Sequence, residues 1–177
     1  MCAKNTDTAN LETKGYCWYK STNGIKRHLL VDVLGNVYLV GCTKASLSDD
    51  EGLLAMLKEN HQYFLALPVG QVVTILLDNG YHQEHLEQEL AKLEPQLACR
   101  LKIEIAEKPT PAQRAVAQAE KPAKQGFVVI KKRWIVERTN AWINQCRVLW
   151  KNCEGLLRTS EAKIRICAIR LILRRLA

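Results

Sequence analysis

No apolar run in this chain approaches the roughly 18 residues that cross a bilayer, which argues against a membrane-spanning helix. The opening Met1-Cys2-Ala3-Lys4-Asn5 lacks the apolar core of a signal peptide. Seven cysteines are present, an odd number, and none stands in a C-x-x-C pair. That disfavours a zinc framework or a fully paired disulfide scaffold, and suggests buried or free thiols in a reducing cytoplasm. No internal repeat is visible. The most informative scarcity is of acids near the end. Residues 131–177 hold 12 Lys and Arg against three acids, a net +9, whereas residues 1–130 come to −1. All of the excess positive charge therefore sits in the last quarter. A polyanionic partner follows, with nucleic acid ahead of a membrane surface, because these basic residues share helices with apolar, core-type faces.

The chain does contain enough for one domain with a real core: 177 residues, 47% hydrophobic and 25% charged. Residues 1–14 are polar and without period. Ile25–Val33 and Val37–Thr43 read as two strands joined through Leu34-Gly35-Asn36, with His28, Leu30 and Asp32 on one face of the first. Ser48 and Glu51 have capping-box spacing ahead of an apolar-periodic helix to about Glu59, and Asp49 and Asp50 suit its first turn. Val72–Leu77, rich in β-branched residues and leucine, has the pattern of a central strand covered on both faces. A helix is expected from about His82 to Leu93, stopped by Pro95, and another strand over Cys99–Ile105. His82 and His85 have no paired cysteine motif around them and rank last as a zinc site. Residues 107–126, with three prolines and five alanines, read as a linker or insertion. The last helix spans about Ser160 to Leu176. Strands alternating with helices behind an opening hairpin point to an α/β domain with a mixed sheet.

Two acids carry the functional argument. Asp78 closes the Val72–Leu77 strand, and ligands in open α/β sheets bind beyond the carboxyl ends of strands. Asp78-Asn79-Gly80 is equally a turn former. Glu137 stands on a helix beginning at Arg133 and running on toward Lys151. Ile135, Thr139, Trp142, Cys146 and Leu149 form its apolar stripe, widened by Ile143 and Trp150. The opposite side carries Arg133, Asn140, Asn144, Arg147 and Lys151 around that single carboxylate. It reads either as a solvated face or as a metal-binding acid where a helix meets phosphates. An acid closing a strand, a lone acid on a basic helix and a +9 tail together fit metal-dependent phosphodiester chemistry. Lys26, Arg27, Lys131, Lys132, Arg133 and Arg138 are the candidate contacts to a DNA backbone.

Four segments, Lys20–Asp32 (KSTNGIKRHLLVD), Leu76–Tyr81 (LLDNGY), Arg133–Asn144 (RWIVERTNAWIN) and Ile164–Ala177, ending RLILRRLA, resemble DDE transposases of bacterial insertion sequences. Within these they look like the insertion-sequence-five family. The resemblance implies an RNase H-like mixed sheet flanked by helices and an Asp-Asp-Glu triad. It further implies Mg²⁺- or Mn²⁺-dependent cutting and joining of DNA at element ends. Asp78 would be the second Asp and Glu137 the Glu, both as metal ligands, and Arg133 matches an arginine of the family's helix motif. Terminal repeats and target DNA are the implied partners, with a homo-oligomer or a full-length transposase as a protein partner, in a bacterial cytoplasm. Related helix motifs carry a Tyr and a Lys where this chain has Ile130 and Asn144, so roles tied to those positions do not transfer. Aligning Lys4 with the lysine of the family's D-S-Q-[ST]-V-K strand places the first Asp before Met1, so the domain over 1–177 is expected to be incomplete and impaired. Asp7 and Asp32 are the nearby substitutes. A DNA-binding or dimerising fragment that regulates an intact transposase is the alternative.

Overall fold

The computed structural model describes residues 2–4, 13–106 and 133–176. Two sheets and six helices make up this part of the chain. Strand β3 (Thr22–Val31) pairs antiparallel with β4 (Val37–Lys44), through partners from Ile25↔Lys44 to Val31↔Val37. On its other edge β3 receives two short strands end to end. β1 (Cys2–Lys4) pairs Cys2↔Lys26 and Lys4↔Gly24, and β2 (Gly15–Cys17) continues with Gly15↔Gly24 and Cys17↔Thr22. The second sheet joins β5 (Val73–Leu77) and β6 (Leu101–Ile105) in parallel. Parallel pairing requires a crossover, supplied by α3 (Gln83–Leu93) and the short α4 (Pro95–Ala98). Pro95 thus does more than stop α3: it opens α4 from a first-turn position, where its missing N–H costs nothing. The architecture is mixed α/β, the class that the resemblance implies; its parallel and antiparallel pairs fall in separate sheets among the described residues.

Helix α1 (Asp49–Glu59) starts as its sequence dictates. Ser48 Oγ accepts from the Glu51 N–H at 3.1 Å, and the Glu51 carboxylate accepts from the Ser48 N–H at 2.9 Å. Replacing Ser48 with Ala removes one half of this box and is expected to cost about 1 kcal/mol in urea or thermal unfolding. A short α2 (His61–Leu65) follows. β4 does not alternate between buried and exposed positions: Leu39 through Cys42 are all buried, so β4 is the strand covered on both faces.

Leu39 faces a core made with Leu53 and Leu57 of α1, Phe64 of α2, Ile75 and Leu77 of β5, Leu86 and Leu90 of α3, and Ile103 of β6. Val40 and Cys42 face a second core with Ile25, with Ile143 of α5 (Arg133–Asn144), and with Ile164 and Cys167 of α6 (Leu157–Leu176). Full burial of one such leucine or isoleucine contributes roughly 1.5–3 kcal/mol. Helices therefore cover both faces of the β3–β4 pair. Beside them, Glu161 of α6 accepts the Cys42 N–H at 2.8 Å, covering an edge group of β4.

Four expectations need correction. β5 is not covered on both faces: Ile75 and Leu77 are buried, but Thr74 is exposed and Leu76 is 40% exposed. An apolar run cannot distinguish two covered faces from one, and here the described helices pack on one side only. Strand β3 ends at Val31, after a bulge at Leu30/Val31, because Asp32 initiates the turn. The basic helix ends at Asn144, where Cys146 takes an extended backbone and Arg147–Leu149 forms a 3-10 turn. This keeps Cys146 and Leu149 in the core but leaves Trp150 74% exposed, off the proposed stripe. The linker at 107–126, and Asp7, Lys131 and Lys132, lie outside the described residues. Cys42, Cys99, Cys146, Cys153 and Cys167 are free thiols, and burial pushes the Cys42 thiol up to about 12.

Candidate nucleic-acid and metal site

Asp78 follows directly on β5, at an exposed position, and its Oδ1 accepts the Asn79 N–H at 2.9 Å. The turn continues with the Tyr81 N–H donating to the Asp78 carbonyl at 3.1 Å. Below this turn Tyr81 packs against the first core. Burial raises its phenol to about 12, helped by the charges of Asp49, Asp50 and Asp78. The next residue, His82, is tied to the buried Asp50 carboxylate through Nδ1 at 2.8 Å, with its N–H at 3.4 Å from the other oxygen. The loop bearing Asp78 is thus fastened to the start of α1. Sequence reasoning assigned Asp50 only to helix-start chemistry and missed this link, for which no local pattern gives a signal.

Glu137 lies exposed in α5. That helix is fixed by polar contacts from the β3–β4 turn. Thr139, fully buried, donates to the Gly35 carbonyl at 2.8 Å, and Arg138 donates to the Leu34 carbonyl at 2.7 Å. The Arg138 guanidinium lies 4.3 Å from the Trp134 ring and 4.6 Å from the Trp142 ring. Arg175 of α6 stacks on Trp142 at 4.3 Å and donates to Asn36 Oδ1 at 2.6 Å. Hairpin turn, α5 and the end of α6 are held as one unit, and Glu137 rides on it.

Asp32 belongs to the same turn. Its Oδ1 accepts the N–H groups of Leu34 and Asn36 at 2.9 and 2.8 Å, and its Oδ2 accepts Asn36 Nδ2 at 2.9 Å. Slight burial pushes its carboxyl up, but these hydrogen bonds outweigh that and hold it below the usual range. A carboxylate so occupied is a turn-former, and poorly suited to replace a catalytic Asp.

The candidate backbone contacts divide unevenly. Lys26 is largely buried, 3.1 Å from Asp49, and donates to the Leu47 carbonyl. Arg27 is buried, and desolvation lowers its pKa. Arg138 is half-buried between two indoles. All three act here as internal anchors: Lys26 and Arg27 present little of their charge at the surface, and Arg138 is partly exposed. Arg133 opens α5. Arg147 and Lys151, just beyond α5, are exposed.

His28, next to Arg27, is buried against Gly52 of α1 and shares a 2.8 Å hydrogen bond with Thr43 Oγ1. Desolvation lowers its pKa to about 4. The unfolded chain therefore takes up a proton near pH 6.5 that the folded chain refuses. The corresponding stability is complete above about pH 6.5 and lost as pH falls through 4, amounting to about 3 kcal/mol at the acid end. Unfolding curves between pH 7 and 4 should show that loss, and His28→Gln should flatten it.

Asp78 and Glu137 offer hard carboxylate oxygens at exposed positions, the donor type that Mg²⁺ takes. They rise from elements packed on different cores, and among the described residues no group of three His, Cys, Asp or Glu is gathered that could hold an ion. The fit extends to donor chemistry, not to a complete coordination shell. Among the described residues, no helix is long and apolar enough to cross a membrane. No curated protein and no solved structure matches the chain. The sequence does match the family described as Transposase DDE domain over residues 5–172, nearly its full length. Members of that family are DNA-acting enzymes that use divalent metals. The chain with a carboxylate at the end of β5 and another on its basic helix belongs to the DDE transposases.

Proposed function

We propose that this chain forms the catalytic domain for metal-dependent cleavage and joining of DNA at the ends of a bacterial insertion sequence of the insertion-sequence-five group. The observation that carries the reading is the pair Asp78, exposed at the carboxyl end of β5, and Glu137, exposed on a helix within the +9 segment. In this reading the two carboxylates are ligands of one Mg²⁺ or Mn²⁺ centre. The ion supplies an activated nucleophile and charge stabilisation for in-line displacement at phosphorus. The chain's own residues do the holding. The Asp50–His82 link and half-buried Tyr81 fix the loop of Asp78, and the hairpin turn fixes α5 beneath Glu137. Exposed Arg147 and Lys151, with Arg133, Lys131 and Lys132, neutralise phosphates without reading sequence.

A second reading, a DNA-binding fragment that modulates a full-length transposase, is favoured by one observation: Asp32, a nearby substitute for the first Asp, is occupied by its turn. One assay separates the two. DNA carrying an element end is incubated with Mg²⁺ or Mn²⁺ and either this chain or a form preceded by Asp-Ser-Gln. Cleavage restricted to the extended form supports the enzymatic reading with the first Asp in its family position. DNA binding without cleavage in either form supports the second.

A further inference from the structure

Helix α6 has two apolar faces, and the core uses only one. Ser160, Ile164, Cys167 and Ala168 are buried, and Leu171 packs beside them. On the other side, Thr159, Ala162, Ile166, Ile169, Leu173 and Leu176 recur at alternating spacings of three and four, and all six are exposed. The four large ones are 65%, 56%, 59% and 79% exposed. That spacing is the a/d seam of a heptad, continued along about 27 Å of the helix. Beside the seam runs a groove of about 340 Å³, lined by Tyr38 and Tyr63 along with Arg165, Ile169 and Ile172.

The flanking positions decide what fits there. Lys163 and Arg170 occupy the e positions, and Arg158, Arg165 and Ile172 the g positions, so every charged flank is basic. A second copy of α6 would set basic flank against basic flank in either orientation. Glu154 and Glu161 already pair with Lys163 and Arg165 within the chain, so they are poorly placed to relieve that repulsion. Nucleic acid would meet the charges but gain nothing from exposed isoleucine and leucine. We propose that the outer face of α6 docks an acidic amphipathic helix of a protein partner, its apolar edge on the Ile166–Leu176 seam and its carboxylates against Arg158 and Arg170. This is recognition of a helix in a groove, with charge choosing the partner. It does not depend on the chain's catalytic competence.

The test uses the full chain and two synthetic three-heptad helical peptides with Leu at the seam positions. One carries Glu at its flanks and the other Lys. By fluorescence anisotropy, the Glu peptide is expected to bind at least about tenfold more tightly than its Lys twin. Ile169→Asp and Leu173→Asp should each abolish binding with little change in the thermal melt, since both side chains are exposed. Arg158→Glu combined with Arg170→Glu should reverse the peptide preference, a readout that misfolding would not give. Equal binding of both peptides, or no binding, overturns the proposal. So does sedimentation showing that the chain pairs with itself through this face, with Ile169→Asp restoring the monomer.

Discussion

Glu137→Gln and Asp78→Asn should each lower DNA strand cleavage by at least about a thousandfold, measured in the form preceded by Asp-Ser-Gln. A carboxylate that holds a catalytic metal contributes several kcal/mol of transition-state stabilisation, and each 1.36 kcal/mol is tenfold in rate. Both positions are exposed, so neither substitution disturbs a core, and thermal melts should stay within about 1 kcal/mol of the parent. DNA binding should persist or strengthen, because each change removes a negative charge next to phosphates. A Glu137→Gln chain that cleaves at the parental rate would remove this residue from the chemistry. The contrast with Arg147→Ala is informative. That change should weaken binding and reduce its salt dependence, with cleavage at saturating DNA little altered.

The largest stability effect outside the leucine core is expected at Gly35. Its φ is +84°, and an added Cβ would lie 2.8 Å from Thr139 Oγ1, 3.0 Å from Arg138 Nη2 and 3.3 Å from the Trp142 ring. Two costs coincide there: a left-handed backbone that L side chains resist, and a collision with the face of α5. Gly35→Val should therefore destabilise by roughly 3 kcal/mol, lowering the melting temperature by about 6–12 °C. It should also reduce cleavage, because the turn and α5 can separate only by moving Glu137. Thr139→Val breaks one hydrogen bond in the same contact and leaves the Gly35 carbonyl buried against a methyl group. Its expected cost is about 1–3 kcal/mol. If Gly35→Val melts like the parent, the turn is not what holds α5.

Much of this frame was legible in the sequence because the signals are local. Ser48 and Glu51 announce α1, and Gly35 beside Asn36 announces the hairpin. Leucine and glutamate periodicity gives α3, and the apolar period of the last segment gives α6. What was not legible depends on partners distant in the chain. Val73–Leu77 has a covered strand's composition, yet whether its second face is covered depends on helices far away. Lys26, Arg27 and Arg138 have the composition of a DNA-facing surface, but Asp49, the core under β3 and two indoles claim them. Asp50 shows its helix-start role in sequence; its bond to His82, 32 residues away, appears only in three dimensions. Asp78 and Glu137 were singled out as candidates by pattern and resemblance, since acids at a strand end and on a basic helix are conspicuous without knowledge of the fold. Their mutual arrangement is a tertiary property, and no sequence spacing encodes it.

The central claim is that Asp78 and Glu137 serve one metal centre, and it can be tested without catalytic turnover. Fe²⁺ in place of Mg²⁺, with ascorbate and peroxide, generates hydroxyl radicals that cut a polypeptide near the bound ion. The account predicts two cuts, one near residue 78 and one near residue 137, both suppressed by excess Mg²⁺ and both lost together in Asp78→Asn. Cutting near only one of the two, or a Glu137 cut that survives Asp78→Asn unchanged, would contradict it.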